Sequence, residues 1–301
     1  KNFKENFRGN IYDRNNRILA TTIKTLSLNI NPQEILNKNE TITKLIQIFP
    51  NLNKKDLLKK LNTKKKHINL IREISPKDYV RLLHIGIEGL KIQKRTKRIY
   101  PNNSLASHIL GGTDIDGNGI AGVEKKFDNR LKHGESITLS IHSGIQHITK
   151  KLLLDQISKF EAEGGAGIVM DAKNGQVYSI VSLPDYNANN YNNILNTNLF
   201  NKATKGVYEL GSTLKLITAA IAFESNLINE NEVFDVSKPL RVSSRIISDF
   251  HPLSYSINIP EVIVHSSNIG SAKIAEKFGP SIQLKYIKSL GLMNILPLEI
   301  P

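Results

Sequence analysis

One segment limits the folds open to this 301-residue chain more than any other. In GAGIVMDAKNGQVYSIVSLP, residues 165–184, two apolar, β-rich runs flank AKNG. The Asn174-Gly175 pair suits the positive-φ positions of a tight turn, so the stretch predicts an antiparallel hairpin. Ahead of it, SGIQHITKKLLLDQISKFEAE places Ile145, Ile148, Leu152, Ile157 and Phe160 on one side of a long helix, with Ser143 as its N-cap. ITLSI (137–141) reads as a short alternating strand before that helix. Behind the hairpin, the Asn-rich connection DYNANNYNNILNTN leads to a further helix starting near Ser212. Strand, long helix, hairpin, loop and helix, in that order, predict an α+β fold: an antiparallel sheet with helices packed against it.

The first 135 residues read as a patchwork of short elements. RGNIYDRNNRILATTIKTLSLNINPQEI predicts strands, with DRNNR turning the chain between Ile11 and Ile18. TITKLIQIFP and LNKKDLLKKLNTKKKHI carry helical spacing, the second through Leu52, Leu57, Leu58 and Leu61. The run Lys64–Lys66 reads as a solvated face. GGTDIDGNGIAG has neither the lysine nor the strand–glycine–helix context of a phosphate cradle, and predicts tight turns leading into a short helix from Val123.

Charge and composition narrow the function classes. A net charge of +14 and a pI near 9.7 point to an anionic neighbour: a membrane surface, an acidic polymer or nucleic acid. No nucleic-acid motif accompanies it, and 6% aromatic residues is thin for base stacking. Zero cysteines exclude disulfides and thiolate metal sites. No apolar run reaches the ~18 residues of a membrane span. The chain opens on Lys1 and stops at PLEIP, so a piece of a longer protein is expected.

The chemistry concentrates in GVYELGSTLKLITAA, residues 206–220. In a helix opening at Ser212, Lys215 stands one turn away with its amine near the hydroxyl. A serine needs such a base to become a nucleophile, and a lysine serves only if burial or a nearby cation lowers its pKa. LITAAIAF would supply the burial, and the helix start would favour a developing oxyanion. Gly211 leaves room for a substrate carbonyl. A plain N-cap at Ser212, with Lys215 in water, fits the same residues. Downstream, EVIVHSSNIGSAKIAEKFG sets Ser266, Ser267 and Asn268 at a break between helical runs. There a hydroxyl and an amide could enter a cleft, or Ser267 or Asn268 could simply cap the next helix.

S-x-x-K followed by S-x-N resembles two-thirds of the signature of penicillin-recognising serine enzymes. RGNIYDRNNRILA is similar to the R-G-x-I-x-D-R-x-G-x-x-L-A box of class B penicillin-binding proteins, the monofunctional peptidoglycan transpeptidases. GNGIAGVEKKFDNRL is similar to that family's G-x-x-G-x-E-x-x-F-[DN]-x-x-L box, and the hairpin with PDYNANN to its central hairpin and following loop. The matches span residues 8 to 292, and their wording is most like the cell-division (septal) branch of Gram-negative bacteria. The resemblance implies a pedestal (dimerisation-type) domain over 1–135 and a transpeptidase domain over 136–301 lacking its C-terminal part.

It also implies a reaction. Ser212 would attack the penultimate D-alanine carbonyl of a stem pentapeptide and expel the last D-alanine. A neighbouring strand's amine would then resolve the acyl-enzyme into a cross-link, and β-lactams would acylate the same serine. Lys215 would be the base, Ser266 a proton relay, and Asn268 would hold the peptide and orient Lys215. Arg8, Asp13, Arg14 and Glu124 would tie the pedestal together through buried ion pairs. The implied partners are peptidoglycan stem peptides, β-lactam antibiotics and other cell-division proteins, without nucleic acid, cofactor or metal. The implied location is the periplasmic face of the inner membrane, with an anchor upstream.

Two departures stand out. Leu210 occupies a position most often proline in the family, and the K-[ST]-G motif is absent, since none of Lys273, Lys277, Lys285 and Lys288 precedes [ST]-G. Truncation is the expected reason, and would leave the fragment impaired. The rival readings are a serine β-lactamase or D,D-carboxypeptidase, and a non-catalytic division scaffold. The first 135 residues argue against the hydrolases. So does the lack of a convincing loop glutamate to activate water, because Glu224, Glu230 and Glu232 fall in a helix end and a polar turn.

Overall fold

The computed structural model describes residues 7–193, 196–229, 231–296 and 298–300. The chain is α+β and forms two compact units, Lys1–Gly206 with Glu299–Pro301, and Val207–Leu298.

In the first unit, β1 (Ile11–Tyr12) and β2 (Ile18–Ile30) pair antiparallel across DRNNR. Asp13 builds this turn, its buried carboxylate accepting the N–H groups of Asn15 (2.8 Å) and Arg17 (2.9 Å). Asparagine side chains start α1 (Lys38–Ile48) at Asn37 and α2 (Lys54–Leu61) at Asn53. Next come β3 (Ile68–Ile74), α3 (Pro76–Ile85) capped by Ser75, and β4 (Leu90–Ile99). β3 and β4 both pair antiparallel with β2. Strand alternation sends Leu28 and Ile30 into a core with Ile42, Leu45, Leu57, Leu61 and Leu82. Ser27 and Asn29 point the other way and are buried too, Asn29 being held by Gln93 (3.1 Å) and Asn69 (3.0 Å).

After the helical turn α4 (Ser107–Leu110), the glycine-rich stretch forms the hairpin β5 (Gly112–Thr113) and β6 (Gly119–Ala121). It leads into α5 (Gly122–Lys126) and α6 (Asp128–Lys132), one residue ahead of the expected start at Val123. A Cβ on Gly111 would lie 2.0 Å from the Ala121 carbonyl oxygen, which explains a glycine at that crossing. Two arginines secure the region. Arg8 Nε donates to Glu124 Oε2 and Arg98 Nε to Glu124 Oε1, each at 2.7 Å, around a carboxylate with no exposed surface. Arg8 Nη1 also reaches Asp128 at 2.7 Å. Burial would raise the Asp128 carboxyl, but Lys132, the Gly119 N–H and Arg8 outweigh it and hold the pKa at about 2.

Of ITLSI only β7 (Ile137–Thr138) is strand, and it pairs parallel to β1, adding a parallel neighbour to an otherwise antiparallel sheet of order β3-β2-β1-β7, with β4 also on β2. The long helix α7 (Ser143–Lys159) is present, but its cap is His142, whose Nδ1 accepts from the N–H groups of Gly144 and Ile145. Ser143 is drawn instead to the buried Asp13, donating its hydroxyl to Oδ2 at 2.6 Å. Asp13 therefore meets N–H and O–H donors rather than the expected ion pair, and Arg14 stacks 4.1 Å over the Tyr178 ring. The apolar stripe of α7 is also shifted: Ile148, Leu152 and Phe160 are exposed. Thr149, Leu153 and Ile157 sit on the hairpin's glycines Gly165 and Gly167, which have no side chains to keep the helix away.

That hairpin, β8 (Gly165–Met170) with β9 (Val177–Leu183), pairs antiparallel as predicted. Its connection is wider than a two-residue turn. Asp171 organises it by accepting the Lys173 N–H and the Tyr178 hydroxyl, and only Gly175 of the Asn-Gly pair takes positive φ (74°). The short helices α8 (Asn196–Leu199) and α9 (Lys202–Lys205) follow.

The second unit runs α10 (Thr213–Glu224), β10 (Phe234–Asp235), β11 (Leu240–Val242), β12 (Arg245–Ile247), β13 (Ser256–Ile257), α11 (Ile259–Val264) and α12 (Asn268–Ser289). β10 pairs with β13, and β11 with β12, both antiparallel. Ile221, Ala222, Val236, Ile257, Ile259, Val262 and Ile274 form the core beneath the helix starts. Asn258 and Glu261 make a reciprocal capping box for α11. α12 breaks where Gly279 (φ 70°) meets Pro280. Among the described residues no helix is long and apolar enough to cross a membrane.

Candidate active site

Ser212 occupies the cap position of α10, yet its side chain caps nothing and its backbone is already helical (φ −62°, ψ −14°). Its hydroxyl turns instead to Lys215, whose Nζ lies 3.2 Å from Ser212 Oγ. The sharp entry into α10 comes from Gly211, at φ 56° and with open space where a Cβ would stand. Thr213, Leu214 and Lys215 each bond the carbonyl three residues back, so these N–H groups are already satisfied. The helix start still offers its field to a developing oxyanion.

α11 delivers the second serine. The chain leaves that helix with Ser266 at φ 52°, a left-handed conformation costing about 1 kcal/mol for a residue with a Cβ. This twist aims both oxygens of Ser266 at one amine: Lys215 Nζ donates to the Ser266 carbonyl at 2.5 Å and to its Oγ at 3.0 Å. Ser266 Oγ in turn donates to Ser212 Oγ at 3.0 Å, closing a triangle of two hydroxyls and one ammonium.

The neighbouring Ser267 does the capping. It is buried, accepts the Gly270 N–H at 2.9 Å and donates to Asp249 Oδ2 at 2.7 Å. Asp249 Oδ1 accepts the N–H groups of Asn268 (2.5 Å) and Ile269 (3.0 Å), so one carboxylate clamps the start of α12. The Asn268 side chain donates to the Ser248 carbonyl at 2.9 Å. The Lys215 amine bonds Ser212 and Ser266, and Asn268 was expected to orient it. Asp249 went unrecognised in the sequence. Its one signal is an acid able to face a helix start, and no spacing rule links it to a serine 18 residues on.

The electrostatics suit a proton acceptor. Lys215 is half-buried, and burial pulls its pKa below the usual lysine value, with the Asp249 carboxylate offsetting part of the fall. A lysine in that state can hold or release a proton between two hydroxyls within hydrogen-bond reach. Of the three glutamates weighed for activating water, Glu224 and Glu232 stand elsewhere. Glu224 ends α10, about 18 Å along the helix from Ser212 at 1.5 Å per residue, and Glu232 pairs with Lys277. Glu230 lies outside the described residues. Among those residues no group of His, Asp or Glu could hold a metal.

Comparison with known proteins identifies the family. Residues 4–143 match the family model described as the penicillin-binding protein dimerisation domain, and residues 165–301 the penicillin-binding protein transpeptidase domain. A probable peptidoglycan D,D-transpeptidase FtsI of Caulobacter vibrioides is 29% identical over 98% of this chain and 51% of its own length. The peptidoglycan D,D-transpeptidase FtsI of a Buchnera aphidicola subspecies is 29% identical over 95% of this chain and 56% of its own length. The chain thus spans about half the length of the curated relatives it matches. A penicillin-binding protein of Helicobacter pylori, solved in complex with MreC, shares the fold with a TM-score of 0.77 at 22% identity, over 98% of this chain and 66% of that one. With two family models together covering most of its length, and relatives that match nearly all of this chain, the chain belongs to the class B penicillin-binding proteins.

Proposed function

We propose that this chain carries the acyl-serine chemistry of a peptidoglycan D,D-transpeptidase. The triangle formed by Ser212 Oγ, Lys215 Nζ and Ser266 Oγ, with edges of 3.0–3.2 Å, supports the reading. In its neutral form Lys215 takes the Ser212 proton as Oγ attacks the penultimate D-alanine carbonyl of a stem peptide. The C–N bond to the terminal D-alanine breaks, and Ser266 passes a proton to the departing nitrogen while regaining one from Lys215. The amine of a second strand then attacks the acyl ester, loses its proton along the same route, and frees Ser212. A β-lactam enters the first step and stays on the serine. Asn268 and the open space at Gly211 line the place for the substrate backbone.

Arg8, Glu124 and the turn at Asp13 and Arg14 are structural in this scheme. Residues 1–135 act as the pedestal and 136–301 as the transpeptidase domain. The proposed setting is septal wall synthesis at the periplasmic face of the inner membrane, beside other cell-division proteins. The FtsI names of its relatives favour the septal role over elongation.

The test uses a stem-peptide thioester donor and a D-amino-acid acceptor, given to the chain expressed from its full coding sequence. Cross-linked product that disappears with Ser212→Ala supports transpeptidation. Thioester hydrolysis that ignores the acceptor would assign a hydrolase instead.

A further inference from the structure

The chain's charge is unevenly placed. Residues 38–98 hold 17 lysines and arginines against 5 acids, a net +12 of the chain's +14. The densest part is KKDLLKKLNTKKK, residues 54–66, with seven lysines and one aspartate. α2 buries Leu57 and Leu61, and this sets Lys55 and Lys59 on its opposite face and Lys60 on a flank, with Lys54 at the helix's first position. All four are exposed, as are Lys64, Lys65 and Lys66 in the loop that follows. Among the described residues none of these seven ammonium groups has an ion pair or hydrogen bond, whereas Lys44, Lys91 and Lys97 each pair with a glutamate.

An apolar residue stands beside them. Gln33 donates to the Lys64 carbonyl at 2.8 Å and Lys38 to Asn62 at 3.1 Å, which bind segment 33–38 to the lysine loop. Within that segment Leu36 is 87% exposed, whereas the adjacent Ile35 belongs to the core.

From this pairing we infer that α2, the loop after it and Leu36 form a docking surface for a bilayer of anionic phospholipid. Seven lysines and no arginine suit a diffuse field of phosphates better than bidentate recognition of one. No aromatic residue lies within 54–66 to stack on a base or a sugar. An exposed leucine on a segment tied to the lysine loop fits an interface where apolar chains lie just beneath charged headgroups, and it has no use for a soluble polyanion. The inference does not depend on the serine chemistry, and its test does not measure it.

The experiment is flotation of the 301-residue chain with vesicles of phosphatidylglycerol and phosphatidylcholine, against vesicles of phosphatidylcholine alone. Binding is expected only to the anionic vesicles, and is expected to fall as salt is raised. Joint replacement Lys54→Gln, Lys55→Gln, Lys59→Gln and Lys60→Gln should weaken it at least about tenfold. The equal charge loss Lys125→Gln, Lys126→Gln, Lys151→Gln and Lys173→Gln should change it by less than about threefold. Leu36→Ser, with no change in charge, should weaken it about tenfold. Equal binding to neutral vesicles, no binding to either, or an equal loss in both lysine sets would overturn the inference. An unaffected Leu36→Ser would overturn it too, assigning the lysines to a soluble polyanion.

Discussion

The Asp249 carboxylate accepts the Ser267 hydroxyl at 2.7 Å, so the residue beside Ser266 is locked to a loop 18 positions upstream. Through its other oxygen the same carboxylate holds the N–H groups of Asn268 and Ile269. The left-handed twist at Ser266 is therefore braced from one side by a buried serine and an acid that never touch Ser212.

Asp249→Asn tests that brace. It removes the charge from three hydrogen bonds and turns one acceptor into a donor facing Ser267. Acylation by a β-lactam should slow about tenfold or more. The pH dependence should move as well. Asp249 partly holds the Lys215 pKa up, so its loss lets that pKa fall further and shifts the acid limb of the rate profile to lower pH. An acid limb moving upward would contradict the placement of Asp249.

The base assignment makes a separate prediction. Acylation should rise with pH through a pKa below the usual lysine value, since burial disfavours the charged Lys215 and only the neutral amine accepts a proton. Lys215→Arg keeps the positive charge and cannot deprotonate, so acylation should fall about a thousandfold. Thermal melts of the two proteins should nearly coincide.

Ser266 can be split into backbone and hydroxyl. Ser266→Gly relieves the φ of 52° and should fold as well as the parent or up to about 1 kcal/mol better by urea unfolding. It also removes the Oγ that links Lys215 to Ser212, so acylation should still drop about a hundredfold. Full activity in this variant would assign Ser266 to loop shape alone.

In the first unit, Glu124→Ala strands Arg8 and Arg98 without their buried partner and should cost about 3–5 kcal/mol in urea unfolding. Asp128 adds a pH signature. Its folded pKa of about 2 lies below the unfolded value of 3.8, so its contribution is present above pH 3.8 and is lost as pH falls through 2. Asp128→Asn should flatten that part of the stability curve.

What could be read from the sequence was what short spacing encodes. Ser212 and Lys215 are one helical turn apart, so local geometry was enough. The meeting of Ser266 with that pair rested on resemblance, because no local rule joins residues 54 apart. Asp249 escaped because a carboxylate reaching a helix start through a loop leaves no periodic trace. The cap of α7 went to His142 because the buried Asp13 competes for Ser143, a contact across 130 residues. The stripe on α7 placed Ile157 correctly but not Ile148, Leu152 and Phe160, because glycines on β8 decide which side of the helix can come close.

The central claim is that Ser212 is a nucleophile and not a helix cap. The most direct measurement is intact mass after incubation with a β-lactam, followed by peptide mapping, on the protein from its full coding sequence and on its Ser212→Ala variant. One covalent adduct of the drug's mass is expected, located on the peptide containing Ser212 and absent from the variant. A folded protein that gains no adduct, or one that gains it on another residue, would contradict it.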